Sequence, residues 1–272
     1  MPELPEVETV VRSLKPNLIG RKIESVGIPN NYLKVLENGS KIKYQKFLEH
    51  KTIKDVLRRG KYIILKLNEG FLLIHLRMTG QIHLNIDNVK NLKYVSFYLK
   101  FTNDSELFFQ DTRKFGRIYI CSSLDWLEMK LGIEPLSKSF TKDYLYYRLK
   151  KSKRMMKSLL LDQQFIAGLG NIYTDEALWY SGIHPKAISN KVSKNKATKL
   201  TNAIKEILSK AISYNGTTII NFSYGVNKNG NFSKELKVFG KDNSPCPNCN
   251  KLIIKKFISQ RGTHFCTKCQ KI

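Results

Sequence analysis

Tyr62-Ile63-Ile64-Leu65-Lys66-Leu67 and Phe71-Leu72-Leu73-Ile74-His75-Leu76 are two short runs rich in branched and aromatic apolar residues, parted by Asn68-Glu69-Gly70. Runs of that length between turn residues read as strands. Working outward, the same texture extends from Arg21 to about Ile120, with Val95 to Phe101 and Leu107 to Phe109 among the further strands. Several short strands at this spacing predict an antiparallel sandwich or barrel. Cys121, closing Ile118-Tyr119-Ile120-Cys121, is expected to be a buried strand residue. Upstream, Val7, Val10, Val11 and Leu14 recur at helical spacing, so about Pro5 to Lys15 is expected to form an amphipathic helix docked on a core. From Leu124 onward the pattern turns helical, through Tyr144 to Leu149, Met155 to Leu161, Tyr173 to Tyr180 and Ala197 to Ile212. The boundary is expected near Pro135, and the fold class is α+β.

Four of the five cysteines, Cys246, Cys249, Cys266 and Cys269, form a C-x2-C-x16-C-x2-C pattern. Two such knuckles bring four thiolates to one tetrahedral ion, a closed structural zinc site with no position left for a substrate. Disulfides are the alternative, disfavoured by the lack of an export signal. Lys255, Lys256 and Arg261 lie between the knuckles and no acidic residue follows Asp242, so a basic zinc hairpin is expected. Arg261 falls in the turn-like Gln260-Arg261-Gly262-Thr263, from which a guanidinium reaches phosphate. A solvated positive face is the plainer reading of the two lysines.

The 272 residues carry 47 Lys and Arg against 22 Asp and Glu, a net charge of +25. That imbalance suits a polyanion, and nucleic acid is the first expectation. A membrane surface is the rival anion, but no apolar run is long enough to span a bilayer. A cytoplasmic protein is expected.

Met1-Pro2-Glu3-Leu4-Pro5-Glu6 opens the chain. Removal of Met1 leaves a proline secondary amine whose ordinary pKa of about 8 makes it nucleophilic near neutral pH without deep burial. Its attack on a sugar C1′ gives an iminium, an electron sink for elimination, and Glu3 is near enough in sequence to move the proton. Helix initiation is the competing explanation: Pro5 suits a first turn, and Glu6 and Glu8 complement the dipole. It accounts for Glu8 better than for Pro2 and Glu3.

Other stretches point to the same chemistry more weakly. Gly168-Leu169-Gly170-Asn171-Ile172-Tyr173 stands between helical patterns, with Asn171 expected at an N-cap, either as a plain cap or as a phosphate clamp. Arg58-Arg59-Gly60-Lys61-Tyr62 is expected to open a strand with three cations, and His75-Leu76-Arg77-Met78-Thr79-Gly80 to close another, although packing also accounts for His75 and Met78. Asp111-Thr112-Arg113-Lys114-Phe115-Gly116 offers an arginine to read a base edge and a phenylalanine to wedge into a stack. Asn215 to Phe232, rich in Gly, Asn, Thr and Ser, is either a lid over a ligand or a plain connector.

Taken together and in order, Met1 to Val10, Arg58 to Tyr62, His75 to Gly80, Arg113 to Gly116, Gly168 to Tyr173 and the four-cysteine element resemble bacterial formamidopyrimidine-DNA glycosylase. The resemblance covers Met1 to Gln270. It implies an N-terminal helix and antiparallel β-sandwich over 1–132, a helix-two-turn-helix domain over 133–235 and a zinc-finger β-hairpin over 236–272.

The resemblance further implies excision of 8-oxoguanine and formamidopyrimidines from damaged double-stranded DNA by a monomer, followed by strand cleavage by β,δ-elimination. Pro2 would be the Schiff-base nucleophile, Glu3 the acid at the sugar ring oxygen and Glu6 the supporting carboxylate. Lys61 and Arg261 match positions assigned to proton transfer in the eliminations, with phosphate binding an equal alternative. Met78, Arg113 and Phe115 would fill the void left by the extruded lesion, with Arg113 facing the orphaned cytosine. His75, Lys153, Lys157, Asn171 and Tyr224 are the remaining implied DNA contacts, and Thr217 to about Tyr224 would be the lid. The sequence departs from the family pattern at Asn91-Leu92-Lys93-Tyr94, where a histidine is absent, and at Thr112, Phe239 and Lys241. Two other readings stand beside this one: an endonuclease VIII-like glycosylase for oxidised pyrimidines, and a zinc-ribbon DNA-binding protein without catalysis. Leu4 and the Arg113-Lys114-Phe115 loop favour the purine enzyme, and Pro2 with Glu3 disfavours the inert binder.

Overall fold

The computed structural model describes residues 1–89, 91–217 and 230–272. The chain divides into two compact units: Met1–Glu128 with Asn215–Asn231, and Met129–Tyr214 with Phe232–Ile272. Compactness thus groups the cysteine element with the helices and the segment around residue 216 with the strands. No helix among the described residues is long and apolar enough to cross a membrane.

In the first unit, α1 (Leu4–Leu18) begins in a reciprocal cap, Glu3 accepting from the Glu6 backbone and Glu6 from that of Glu3, with Pro5 in the first turn. It is followed by β1 (Ile23–Gly27), α2 (Lys41–Leu48), β2 (Ile53–Arg59), β3 (Tyr62–Leu67), β4 (Phe71–His75), β5 (Gly80–His83), β6 (Val95–Phe101), β7 (Glu106–Asp111) and β8 (Arg117–Cys121). The strands form two antiparallel four-stranded sheets, in the orders β1-β6-β7-β5 and β2-β3-β4-β8. Val7, Val10, Val11, Leu14 and Leu18 share one buried cluster with Ile63, Leu65, Leu72 and Ile74 of one sheet and Phe97, Phe101 and Phe109 of the other. Each such aliphatic side chain contributes about 1.5–3 kcal/mol when fully buried, so the stripe on α1 is ample to fix the N-terminus on the sandwich.

α2 interrupts what reads in the sequence as continuous strand texture. Ser40 caps it by accepting from Lys43 N at 3.3 Å, and Tyr44 and Leu48, four apart, are its buried face. The Tyr44 hydroxyl donates to Ile118 O at 2.6 Å, a tertiary bond that local pattern cannot announce. Cys121 ends β8 half-buried, where the strand leaves the core, contrary to the expected full burial.

α3 (Asp125–Lys130) spans the division between the units. The second unit holds α4 (Lys142–Lys150), α5 (Met156–Leu161), α6 (Asn171–Tyr180), α7 (Lys194–Ser213) and the antiparallel hairpin β9 (Ile254–Ile258) and β10 (Arg261–Phe265). α7 buries the stripe Leu200, Ala203, Ile204, Ile207, Leu208 and Ala211, whereas α6 is buried on nearly every side from Ile172 to Leu178. Ser259 and Gln260, both at positive φ (52° and 58°), make the two-residue hairpin turn, so Arg261 begins β10 beside the turn it was expected to occupy.

Candidate active site

In the first unit the N-terminal segment is buried where the cap forms. Pro2, Glu3 and Glu6 are all buried, Met1 is half-exposed, and the Glu6 Oε2 accepts from Glu3 N at 2.8 Å. Burial holds the Met1 amino group below its ordinary value of 8.0; Lys61 and Arg113 push it the same way, while Glu3 and Glu6 oppose. Those four charges therefore all lie near enough to act on an amine at the chain start. Lys61 occupies the turn between β2 and β3 behind Gly60 (φ 55°) and is buried, so it follows β2 rather than opening a strand in solvent. Arg58 donates to Glu8 at 2.9 Å and Arg59 pairs with Glu128 at 3.0 Å, so these two cations are engaged within the unit. Glu8 also holds Arg12 at 3.0 Å, a larger role than complementing the helix dipole.

Two loops of the same unit carry exposed apolar side chains. Met78, in the turn between β4 and β5, is 40% exposed, and Phe115, between β7 and β8, is 47% exposed. The Arg113 guanidinium lies 4.7 Å over the Phe115 ring. His75, by contrast, is buried, its Nδ1 accepting from Arg77 N at 3.1 Å and its ring edge-on to Tyr62 at 4.6 Å. Thr217, the last described residue before 218–229, gives both its backbone N–H (2.8 Å) and its hydroxyl (3.1 Å) to Glu6 Oε1. Tyr224 and most of the expected lid lie outside the described residues.

In the second unit, Gly170 caps α6 and Asn171 is its first helical residue; Asn171 Nδ2 donates to Gly262 O at 2.8 Å, next to Arg261 on β10. The expected N-cap is thus one residue late, and the asparagine amide instead joins the helix start to the hairpin. Arg261 and Lys153 are exposed. Lys157 departs from the expectation of a DNA contact: it is 0% exposed and its ammonium lies 2.5 Å from Asp175 and 3.3 Å from Asn171 O. An ammonium so enclosed ties α5 to α6 and offers nothing to a phosphate. The four cysteine sulfurs lie within 4.8 Å of one another, with Cys249 to Cys266 at 3.4 Å and Cys246 to Cys269 at 3.8 Å. Sulfurs on a tetrahedral ion with bonds of about 2.3 Å stand about 3.8 Å apart, so the cluster is dimensioned for one such ion.

Comparison with known proteins places this geometry. Residues 1–118 match the formamidopyrimidine-DNA glycosylase N-terminal domain, 131–223 the H2TH domain of the same enzymes, and 243–272 the zinc finger found in FPG and IleRS. The chain belongs to the formamidopyrimidine-DNA glycosylase family. A relative named formamidopyrimidine-DNA glycosylase from Protochlamydia amoebophila is 42% identical over the full length of both chains. Among solved structures, a mutant of the Lactococcus lactis FPG bound to a Fapy-dG-containing DNA superposes with a TM-score of 0.92 at 37% identity, covering 100% of each chain. The Lactococcus lactis Fpg complex with abasic-site DNA gives 0.91 at 37%, covering 99% of this chain and 100% of that one.

Within this glycosylase framework, α6 supplies residues that the sequence did not single out. Asp175 Oδ2 accepts from His264 N at 2.9 Å, Glu176 accepts from the backbone N–H groups of Lys237, Val238 and Phe239 at 2.8–2.9 Å, and Trp179 Nε1 donates to Cys246 Sγ at 3.3 Å. Burial pushes the Glu176 carboxyl up, against the three N–H donors that favour its charge. The available signal was two adjacent carboxylates in an otherwise apolar helix, with no other acid between Asp162 and Glu206.

Proposed function

We propose that this glycosylase releases oxidised purines, 8-oxoguanine and formamidopyrimidines, from duplex DNA and then cuts the strand through a Schiff base on Pro2. The observation that carries the reading is the buried segment Pro2–Glu6 at the chain start, where burial together with Lys61 and Arg113 lowers the amino group of the preceding Met1 against Glu3 and Glu6. An uncharged secondary amine at neutral pH is the nucleophile this chemistry requires. The proline nitrogen attacks C1′ as the glycosidic bond breaks, the bond electrons leaving with the base, which takes up the proton that the amine gives up. Glu3 then protonates the ring oxygen, and the C1′–O4′ bond breaks with its electrons on that oxygen, opening the sugar to the iminium. The iminium then acidifies C2′, and successive loss of the 3′ and 5′ phosphates gives the β and δ eliminations, with Lys61 or Arg261 moving protons. Glu6 holds Glu3 N–H and so fixes the segment.

DNA contacts are proposed at His75, Met78, Arg113, Phe115, Lys153, Asn171 and Tyr224. The cysteine set fits one structural Zn²⁺ held by Cys246, Cys249, Cys266 and Cys269, which supplies fold and no chemistry. The setting proposed is a cytoplasmic monomer working on chromosomal DNA, as suits a relative of bacterial repair enzymes.

Borohydride reduction in the presence of duplex DNA holding 8-oxoguanine or an abasic site tests the reading. A covalent adduct mapped to Pro2 is expected, and Pro2→Gly abolishes it while DNA binding persists. An adduct on a lysine, or full nicking by protein with Met1 retained, overturns the nucleophile assignment. A panel that includes oxidised pyrimidines separates the purine reading from its endonuclease VIII-like rival.

A further inference from the structure

Asp111, the last residue of β7, is fully buried between the two loops that carry Met78 and Arg113–Phe115. The β5/β7 register sets Gly80 directly across from it. Its Oδ1 accepts from Thr79 Oγ1 at 2.5 Å and from Arg113 N at 3.1 Å, and its Oδ2 accepts from Gly116 N at 2.6 Å. Thr79 Oγ1 in turn accepts from Arg113 N at 3.2 Å. One carboxylate and one hydroxyl therefore close a ring of bonds that joins the β4–β5 turn to the β7–β8 loop.

The surroundings leave that ring little freedom. A Cβ on Gly80 would meet Leu76 O at 2.5 Å and the Phe109 ring at 2.9 Å, and a Cβ on Gly116 would run into the same ring, so both loops close over Phe109. On the far side, Lys114 sits at φ 56° and its carbonyl accepts from the Tyr32 hydroxyl at 2.7 Å. Above this buried base, Met78, Arg113 and Phe115 project as exposed side chains.

We propose that Asp111 and Thr79 clasp the two loops into one preformed wedge, making Asp111 a positioning residue for extrusion of the damaged nucleotide. Unstacking a base is costly, and side chains that fill the gap offset this cost only to the extent that they are ordered beforehand. Two independently mobile loops would draw on the same free energy at the moment of insertion. The inference rests on the reading of Met78, Arg113 and Phe115 as the residues that fill the void.

The test compares two substrates. Single-turnover base release from an 8-oxoguanine duplex requires a filled gap; borohydride trapping on a single-stranded abasic oligonucleotide has no stack to fill. Thr79→Val removes the hydroxyl at nearly constant volume and with it both bonds that tie the β4–β5 turn to Asp111 and Arg113, leaving Asp111 Oδ1 and Arg113 N only each other, so duplex base release should fall roughly tenfold. Trapping on the single strand should hold, and Thr79→Ser should restore the duplex rate. Asp111→Asn, which turns one acceptor into a donor, should show the same split more strongly. Wild-type duplex rates in folded Thr79→Val, or equal losses on both substrates, would overturn the clasp. A Met78→Ala, Phe115→Ala double variant separates the two levels. If it lacks the duplex-selective loss, the void-filling reading fails; if it shows the loss while Thr79→Val does not, the clasp alone fails.

Discussion

The Glu6 carboxylate holds Thr217: its Oε1 accepts from the threonine backbone N–H at 2.8 Å and from the hydroxyl at 3.1 Å, while Oε2 accepts from Glu3 N. Gly216 makes the approach possible, since at φ 78° it lies so close that a Cβ there would meet Glu6 Oε1 at 2.8 Å. One buried side chain, drawn from the first turn of α1, thus fastens the proposed catalytic end of the chain to a residue 211 positions away in sequence. Glu6→Gln keeps the shape but turns one acceptor oxygen into a donor facing an N–H. Thermal unfolding should show a loss of about 1–3 kcal/mol, the cost of unsatisfied buried groups. Borohydride trapping should fall together with base release, because the N-terminal segment itself loosens. Wild-type trapping in Glu6→Gln would show that the tie does not position the nucleophile.

The amine at the chain start gives a pH prediction. Burial, Lys61 and Arg113 lower its pKa while Glu3 and Glu6 raise it, and the net direction is down from 8.0. Only the uncharged amine attacks, so activity should rise with pH through the pKa of the Pro2 amine, and a lowering in the direction seen for the Met1 amine would place that rise below pH 8.0. The Pro2 nitrogen, one residue along and beside buried Glu3, is expected to be shifted in the same direction once Met1 is removed. Arg113→Ala takes away one of the lowering charges, so its rising limb should move to higher pH. The measurement is the rate of Schiff-base trapping against pH on single-stranded abasic DNA, where contacts to an opposite base play no part. A limb that stays put, or moves to lower pH, would contradict the electrostatic assignment.

What could be read from the sequence was whatever is encoded locally. β3 and β6 coincide with their apolar runs, and α1 with its i, i+3, i+4 stripe, because burial of one face is written in neighbouring residues. The cysteine cluster was legible because knuckle spacing restricts which sulfurs can meet. Two of the features that were not legible depend on distant partners. α2 relies on Tyr44 reaching Ile118 O, 74 residues away, and Lys157, implied as a DNA contact, is enclosed by Asp175, 18 residues on. The resemblance carried Lys157 over as a DNA contact by its position in the chain, and position alone does not show that Asp175 encloses it.

Lys157 yields a prediction that separates a structural cation from a DNA contact. Its removal leaves the Asp175 carboxylate buried without its ammonium, which costs about 3–5 kcal/mol. Lys157→Met should therefore lower the unfolding midpoint steeply. For protein that remains folded, the slope of log binding constant against log salt should match the wild type, whereas losing a true phosphate contact reduces that slope by about 0.9. Exposed Lys153 is the internal comparison: Lys153→Met should leave the midpoint unchanged and flatten the salt dependence.

The cysteine element and the hairpin tip should respond to different insults. Cys266→Ser, or a chelator strong enough to strip a thiolate site, removes the ion that holds the knuckles together, because binding free energy at such a site is folding free energy. Loss of metal by elemental analysis should accompany weaker DNA binding and loss of the near-ultraviolet signal of Trp179, whose indole N–H donates to Cys246 Sγ at 3.3 Å. Arg261→Ala should keep both the metal and the Trp179 signal, since its side chain is exposed at the start of β10, and should weaken binding in a salt-dependent way. Should Cys266→Ser retain full metal content and affinity, the four sulfurs do not form the site their spacing and mutual distances describe. If Arg261→Ala lost the metal as well, the guanidinium would be supporting the knuckles rather than reaching for a strand.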